Sequence, residues 1–370
     1  MIEFKLPFLG ADVDEGKLLQ WQIKPGDTVR RGQVIAVVDT SKAAVDVESW
    51  QEGTVFELLA QPGATLPVGA VLFTLLESGE SPETAQRHAG AEPAAAPSAA
   101  RRRISPAARR HAEEHGIALD SVVGTGPDGA VTLQDVQRLE GKAPAAAPDR
   151  QAEMRRAIAA AMSRSKKEIP HYYLSDTVPM RTAQQWLAAA NEKRAITERL
   201  LMAVLQLKAV ALALRKYPDL NGFYIDGTYR HSTAIHVGVA ISLRQGGLIA
   251  PAIHDVADKT PEQLMQDLTD LVKRARAGSL RSSEMTDPTI TVTNLGEQGV
   301  DAVYGIIYPP QVALVGFGRI RDIPWAVDGT LCAMPAMTAS LAADHRVSDG
   351  HRGALFLAEV REWLQRPEQL

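Results

Sequence analysis

Two stretches of this 370-residue chain lack the means to fold, and they dictate how the remainder is divided. Residues 81–100 are rich in alanine, carry Pro82, Pro93 and Pro97, and hold no aromatic side chain. Residues 141–151 repeat the style with Pro144, Ala145, Ala146, Ala147 and Pro148. Such segments bury too little apolar surface to offset the entropy of ordering, and proline keeps them extended. Stretched out, the first reaches roughly 70 Å and the second about 35 Å. The chain therefore reads as compact parts 1–77, 101–140 and 152–370, joined by linkers 78–100 and 141–151.

Composition excludes several classes. A hydrophobic fraction of 45% with 23% charged residues is ordinary for a soluble protein. A net charge of −4 argues against a general nucleic-acid binder, which needs a basic excess for phosphates. Cys332 is the sole cysteine and cannot form an internal disulfide, which suits a reducing cytoplasm. Met1 to Gly16 carries Glu3, Asp12, Asp14 and Glu15 and has no basic end leading into an apolar run, so it is no secretory signal. Leu200 to Leu214, interrupted by Gln206 and Lys208, falls short of the roughly 18 apolar residues of a membrane span. It reads as a buried helix. The expectation is a cytoplasmic protein with no membrane or nucleic-acid partner.

Residues 1–77 read as a small all-β unit. The β-branched runs Val34 to Val38 and Ala44 to Val47 are set among the turn formers Lys24-Pro25-Gly26-Asp27, Glu52-Gly53 and Pro62-Gly63. Between those runs, Asp39-Thr40-Ser41-Lys42-Ala43 occupies the place of a hairpin tip, which presents Lys42 to a modifying enzyme. Spacing alone favours an ordinary exposed turn lysine.

Residues 101–140 offer two short helical stretches, Pro106 to His115 and Leu133 to Leu139, with Thr132 and Asp135 placed to cap the second. About 40 residues is near the lower limit for a fold. Arg101, Arg102, Arg103, Arg109 and Arg110 form a cluster with no acid among them. It would steer an acidic protein partner by long-range attraction, though a solvated basic face has the same composition.

Residues 152–370 mix helical and strand patterns. Apolar residues at helical spacing run from Ile196 to Tyr217, whereas Ala234 to Ser242, Thr289 to Thr293 and Gln311 to Gly316 read as strands. This is an α/β unit. Its most informative string is Asp344-His345-Arg346-Val347-Ser348-Asp349-Gly350. Taken alone, His345 is one of nine histidines and Thr293 a strand threonine. A metal set of His345, Asp349 and His351 lacks any standard ligand spacing, so no metal is expected. Gly316-Phe317-Gly318 is too short for a dinucleotide fingerprint.

These strings resemble known families, in one order along the chain. Residues 1–77 resemble a lipoyl domain, a flattened β-barrel or sandwich. Pro25-Gly26-Asp27, Asp39-Thr40-Ser41-Lys42-Ala43 and Gly53 fall where that family has the turn before its lysine hairpin, its lipoylation motif and the turn after it. Ser41 stands where the commonest motif has an acid. Biotin carriers instead flank their lysine with methionines, so the resemblance implies covalent lipoate on Lys42. Ile104-Ser105-Pro106-Ala107-Ala108-Arg109 and Gly124-Thr125-Gly126-Pro127-Asp128-Gly129 resemble a small α-helical peripheral subunit-binding domain. That implies docking of dihydrolipoyl dehydrogenase, the 2-oxo acid decarboxylase, or both. Arg109 matches a partner-contacting arginine of the family, while Ala130 stands where a second is common.

Residues 152–370 resemble the catalytic domain of dihydrolipoyl acyltransferases, which shares its fold with chloramphenicol acetyltransferase. The match rests on Asp344 to Gly350, Thr291-Val292-Thr293-Asn294-Leu295-Gly296, Ile169-Pro170-His171-Tyr172-Tyr173, Pro218-Asp219-Leu220-Asn221 and Gly247-Leu248-Ile249-Ala250-Pro251. The chemistry fits, because moving an acyl group between thiols needs a base for a thiol of pKa about 8.5 and a donor for the oxyanion. The resemblance implies His345 as that base and coenzyme A as acyl acceptor. It also implies Thr293 as the oxyanion donor, Asp349 as a residue that fixes the loop, and Asp344 as the partner of an arginine. It implies a homotrimer with the active site between subunits. Such trimers associate further through an apolar tail, and here only one apolar residue follows Pro367, so a 24-subunit core is the less supported expectation. Ile169 to Leu174 is closer to acetyl-transferring members, favouring a pyruvate or acetoin complex over a branched-chain one. A non-catalytic scaffold and a stand-alone acyltransferase are the alternatives from other classes.

Overall fold

A computed structural model describes residues 1–9, 15–40, 44–76, 104–115, 125–126, 130–140, 150–243 and 247–370. Lys42, Arg101, Arg102 and Arg103 lie outside the described residues, as does nearly all of both linkers. Two compact units result, one of residues 1–79 with 151–370 and one of residues 80–150.

Among its described residues the N-terminal part of the first unit has eight strands: β1 (Ile2–Lys5), β2 (Glu15–Trp21), β3 (Thr28–Val29), β4 (Val34–Asp39), β5 (Ala44–Glu48), β6 (Gly53–Leu58), β7 (Thr65–Pro67) and β8 (Val71–Leu76). They form two sheets, ordered β1-β8-β6-β3 and β5-β4-β2-β7, the second continued past β5 by a strand from later in the chain. Side chains alternate across a strand, so Val45 and Val47 of β5 point inward to join Phe4, Leu18, Ile35 and Phe73 in one core. β4 and β5 pair antiparallel with Asp39 opposite Ala44, so both flanks of the expected hairpin are in place. Gly53 is required where it stands. Its φ is 158°, and a Cβ there would lie 2.6 Å from the Leu76 carbonyl oxygen.

The remainder of the first unit is α/β. Its strands are β9 (His171–Pro179), β10 (Gly222–Ile225), β11 (Thr228–His231), β12 (Val237–Val239), β13 (Ile241–Ser242), β14 (Leu248–Ile249), β15 (Ala252–Ile253), β16 (Ser279–Arg281), β17 (Ile290–Asn294), β18 (Ala313–Phe317), β19 (Arg321–Val327) and β20 (Thr330–Asp344). The main sheet runs β15-β12-β17-β18-β20-β19, with β9 also paired to β20. Helices Met202–Lys216 and Gly350–Leu364 pack into its core through Leu205, Val210, Leu214, Phe356 and Val360. Burying each of these larger side chains contributes about 1.5–3 kcal/mol.

The helix expected from Ile196 starts only at Met202; Ile196–Glu198 is a single 3₁₀ turn. Asn191 explains the delay, because its side chain bonds both the amide and the carbonyl of Leu200 and holds that backbone extended. Gly316 and Gly318, too few for a dinucleotide fingerprint, have a packing reason. Residues 301–303 cross β18 so closely that a Cβ at Gly318 would meet the Asp301 carbonyl and one at Gly316 the Val303 carbonyl. Among the described residues no helix is long and apolar enough to cross a membrane.

The second unit pairs helices Pro106–His115 and Leu133–Glu140 about a core that among the described residues holds Ala108, Ala112, Val131 and Val136. Ser105 caps the first helix by accepting from the Ala108 amide, and Arg109 and Arg110 stand exposed on it. Asp135 staples this core. Its buried carboxylate accepts from the hydroxyl and amide of Thr125 and from those of Thr132. The Thr125 bonds first, then those from Thr132, hold the Asp135 carboxyl far below the usual carboxylate range. Their stabilisation is therefore present at neutral pH and lost only in strong acid.

Candidate active site

β20 ends in Asp344, whose side chain is fully buried. A buried carboxylate is tolerable only when paired and hydrogen-bonded. Arg346 meets that need, with Nε 3.0 Å and Nη2 2.7 Å from the Asp344 oxygens and its own amide 2.9 Å from Oδ1. The same guanidinium lies 3.9 Å from the Tyr224 ring centroid, and the Asp344 bond pushes its pKa up. The ion pair thus closes a tight turn directly around His345.

That turn presents His345. Its amide donates to the Pro170 carbonyl at 3.0 Å, its side chain is exposed, and the Tyr172 ring meets it edge-on at 5.3 Å. Tyr172 is held in turn by Ser348, with 2.8 Å between the hydroxyls. Burial, followed by the charges of Asp219 and Asp349, raises the Tyr172 pKa, so its phenol keeps its proton at neutral pH. Asp349 ends the turn as the N-cap of helix Gly350–Leu364, accepting from the Arg352 amide at 2.9 Å. That bond lowers its pKa, which keeps it an anion at the helix N-terminus. Arg352 reaches back to Asp219 and anchors the helix start.

His171 supports the same region from behind. Its Nδ1 donates to the Ile169 carbonyl and its Nε2 accepts from the Ile307 amide, which is the neutral tautomer. Burial lowers its pKa accordingly. His254 donates to Asp287 at 2.9 Å and packs on His236.

Thr293 lies elsewhere. It pairs with Gly316 of β18, which pairs with Ser340 of β20. Two strand spacings and the five-residue run from Ser340 to His345 separate the two backbones by roughly 20 Å. Beside Thr293, Asn294 accepts from the Gly296 amide and donates to Gln206, which stiffens the strand end. The fold therefore gathers Asp344, His345 and Asp349 in one turn and holds Thr293 two strands away, toward the other ends of the strands, within this one chain. Sequence reasoning gave no role to Tyr172, Ser348 or the Asp219–Arg352 tether. Tyr172 and Asp219 sit in strings that it singled out, but their contacts depend on register.

Comparison with known proteins is decisive here. Residues 148–370 match the family described as 2-oxoacid dehydrogenases acyltransferase (catalytic domain). The chain belongs to the 2-oxo acid dehydrogenase acyltransferases. Residues 2–75 of this acyltransferase match the biotin/lipoyl family described as biotin-requiring enzyme, and residues 102–137 match the E3 binding domain. The chain is 29% identical to the acetyltransferase component of the Staphylococcus aureus pyruvate dehydrogenase complex, over 100% of this chain and 98% of that protein. It is 31% identical to the Bacillus subtilis lipoamide acyltransferase component of the branched-chain alpha-keto acid dehydrogenase complex, covering 98% and 97%. With the acetyltransferase component of the B. subtilis acetoin cleaving system the identity is 29%, covering 100% and 99%.

Two solved structures are each 26% identical with a TM-score of 0.55, covering 58% of this chain and 90% of theirs. One is the cubic core of a pyruvate dehydrogenase multienzyme complex. The other comes from work on a serine, a histidine and an asparagine in the catalytic mechanism of Azotobacter vinelandii dihydrolipoamide acetyltransferase. The enzyme is thus an acyltransferase with a carrier module for covalently bound lipoate and with coenzyme A as substrate.

Proposed function

We propose that this enzyme moves an acetyl group between S-acetyldihydrolipoyl-Lys42 and coenzyme A, as the trimeric core subunit of a pyruvate- or acetoin-type complex in the cytoplasm. The carrying observation is the separation of Thr293 from His345 within one protomer. Two groups roughly 20 Å apart cannot serve one carbonyl. They can do so when each comes from a different copy of the chain. The serine, histidine and asparagine named for the Azotobacter enzyme follow one another at the intervals that separate Thr293, His345 and Asp349 here, which supports these three as a set.

The steps balance. The imidazole of His345 takes the S–H proton of the attacking thiol, and the sulfur adds to the thioester carbonyl as the new C–S bond forms. The oxyanion accepts a hydrogen bond from the Thr293 hydroxyl of the neighbouring copy. When the old C–S bond breaks, the leaving thiolate recovers the proton from the imidazolium. Asp349 keeps the turn in place by capping its helix, and Asp344 with Arg346 fixes the direction of the imidazole. Lys42 carries the lipoate. Arg109 and Arg110, with Arg101, Arg102 and Arg103, attract acidic faces of dihydrolipoyl dehydrogenase and the decarboxylase subunit. The relative with a cubic core supports further assembly of trimers into a 24-subunit particle.

Subunit mixing tests the shared site. Thr293→Ala is expected to cost about 10²–10³ in kcat, the usual loss for one oxyanion donor. Co-assembled with His345→Ala, it should regain activity far above either parent, since some interfaces then hold both intact groups. A mixture no more active than the average of its parents would place both groups in one protomer and overturn the reading.

A further inference from the structure

β16 is three residues long and lies between helix Pro261–Ala277, which ends at Gly278 in the left-handed conformation, and helix Ser282–Thr286. Its sole strand partner among the described residues is β5 of the N-terminal part. β5 in turn is the edge of its own sheet wherever β16 is absent. Each therefore has a row of backbone groups that the other satisfies, and an unpaired edge is a ready template for strand addition.

The pairing is parallel and in register, with Ala44 opposite Ser279, Val45 opposite Leu280 and Asp46 opposite Arg281. Side chains complete it. The Glu48 amide donates to the Ser282 hydroxyl, and the Ser283 hydroxyl donates to the Glu48 carboxylate at 2.5 Å. Leu280 is fully buried. Charge is complementary at Asp46, which faces Arg281 and Arg274, the latter held by Glu284. Burial pushes the Asp46 carboxyl up against the opposing pull of Arg281 and Arg274. Nearby, Phe8 lines a cavity of about 100 Å³ together with Phe223, Ile249, Met285 and Pro310.

We infer that β16 is a docking strand for the carrier module of the same chain, which it receives by parallel addition to β5 and through the hydroxyl pair Ser282 and Ser283. Ala44 follows the Lys42 hairpin directly, so docking pins the base of that hairpin to the catalytic module. β16 lies outside the sheet that holds Thr293 and leads into His345, which marks this pose as a resting berth rather than the transfer complex. Only its meaning for the acyl cycle rests on the reading of Lys42 as the lipoyl lysine; the contact does not.

Amide hydrogen exchange in the full chain tests it, with or without lipoate. Residues 44–48 and 279–281 should exchange at least tenfold faster in Ser283→Glu, which sets a carboxylate against Glu48. Glu48→Lys should release the same two segments from the other side. The double variant, with charges re-paired, should restore protection. Exchange across 330–344 and acetyl transfer to free dihydrolipoamide should stay unchanged throughout, which reports an intact fold. Equal exchange of 44–48 in the wild type and both single variants would overturn the docking strand, as would failure of the double variant to recover protection. Neither result touches the assignment of His345.

Discussion

His345→Ala is expected to slow acetyl transfer from acetyl-coenzyme A to free dihydrolipoamide about a thousandfold, within the range typical of a lost general base. A thiol with an unperturbed pKa near 8.5 is mostly protonated at pH 7, so the attacking sulfur depends on a group that removes its proton as it attacks. Imidazole matches that task near neutrality. Folding should be indifferent to the change. The side chain is exposed, and the structural bond of this residue is its backbone N–H to the Pro170 carbonyl, which alanine retains. Thermal melting and the mass increment of lipoate on Lys42 should therefore match the wild type. Transfer within a few-fold of the wild-type rate would remove His345 from the chemistry.

The second large effect concerns Lys42. Lys42→Arg should reduce the reaction of the assembled complex to background while leaving transfer to free dihydrolipoamide near the wild-type rate. A guanidinium cannot form the amide that attaches lipoate, so no thioester travels between active sites. Tethering sets the arm at an effective concentration in the millimolar range, which a trace of free lipoamide does not replace. Both assays on one preparation separate the carrier from the catalyst. Complex activity that survives in Lys42→Arg would mean that another residue bears the acyl group.

The modular plan was legible because alanine and proline make poor cores whatever surrounds them. The hairpin flanking Lys42 was legible too, since alternation and turn glycines are local signals. The apolar spacing from Ile196 runs past the true start of helix Met202–Lys216, because the side chain of Asn191, well upstream, holds Leu200 extended. The site was half legible. Asp344 to Gly350 is a contiguous string, and its internal bonds, Arg346 to Asp344 and Asp349 to the next helical turn, span two or three residues. The distance from His345 to Thr293 is set by the pairing of β17, β18 and β20, and local pattern does not encode register between distant strands. The same holds for Tyr172, which reaches His345 because β9 pairs with β20 at Ala343 and Asp344. The union of β5 with β16 joins residues more than two hundred positions apart, and three residues offer no period to read.

What matters most is whether one thioester is made for each one spent. Full-length protein incubated with acetyl-coenzyme A and dihydrolipoamide should release free coenzyme A and form S-acetyldihydrolipoamide in equal amounts. Release of coenzyme A with no acetylated dihydrolipoamide, or no reaction of either thiol, would contradict thioester exchange as the chemistry of this site.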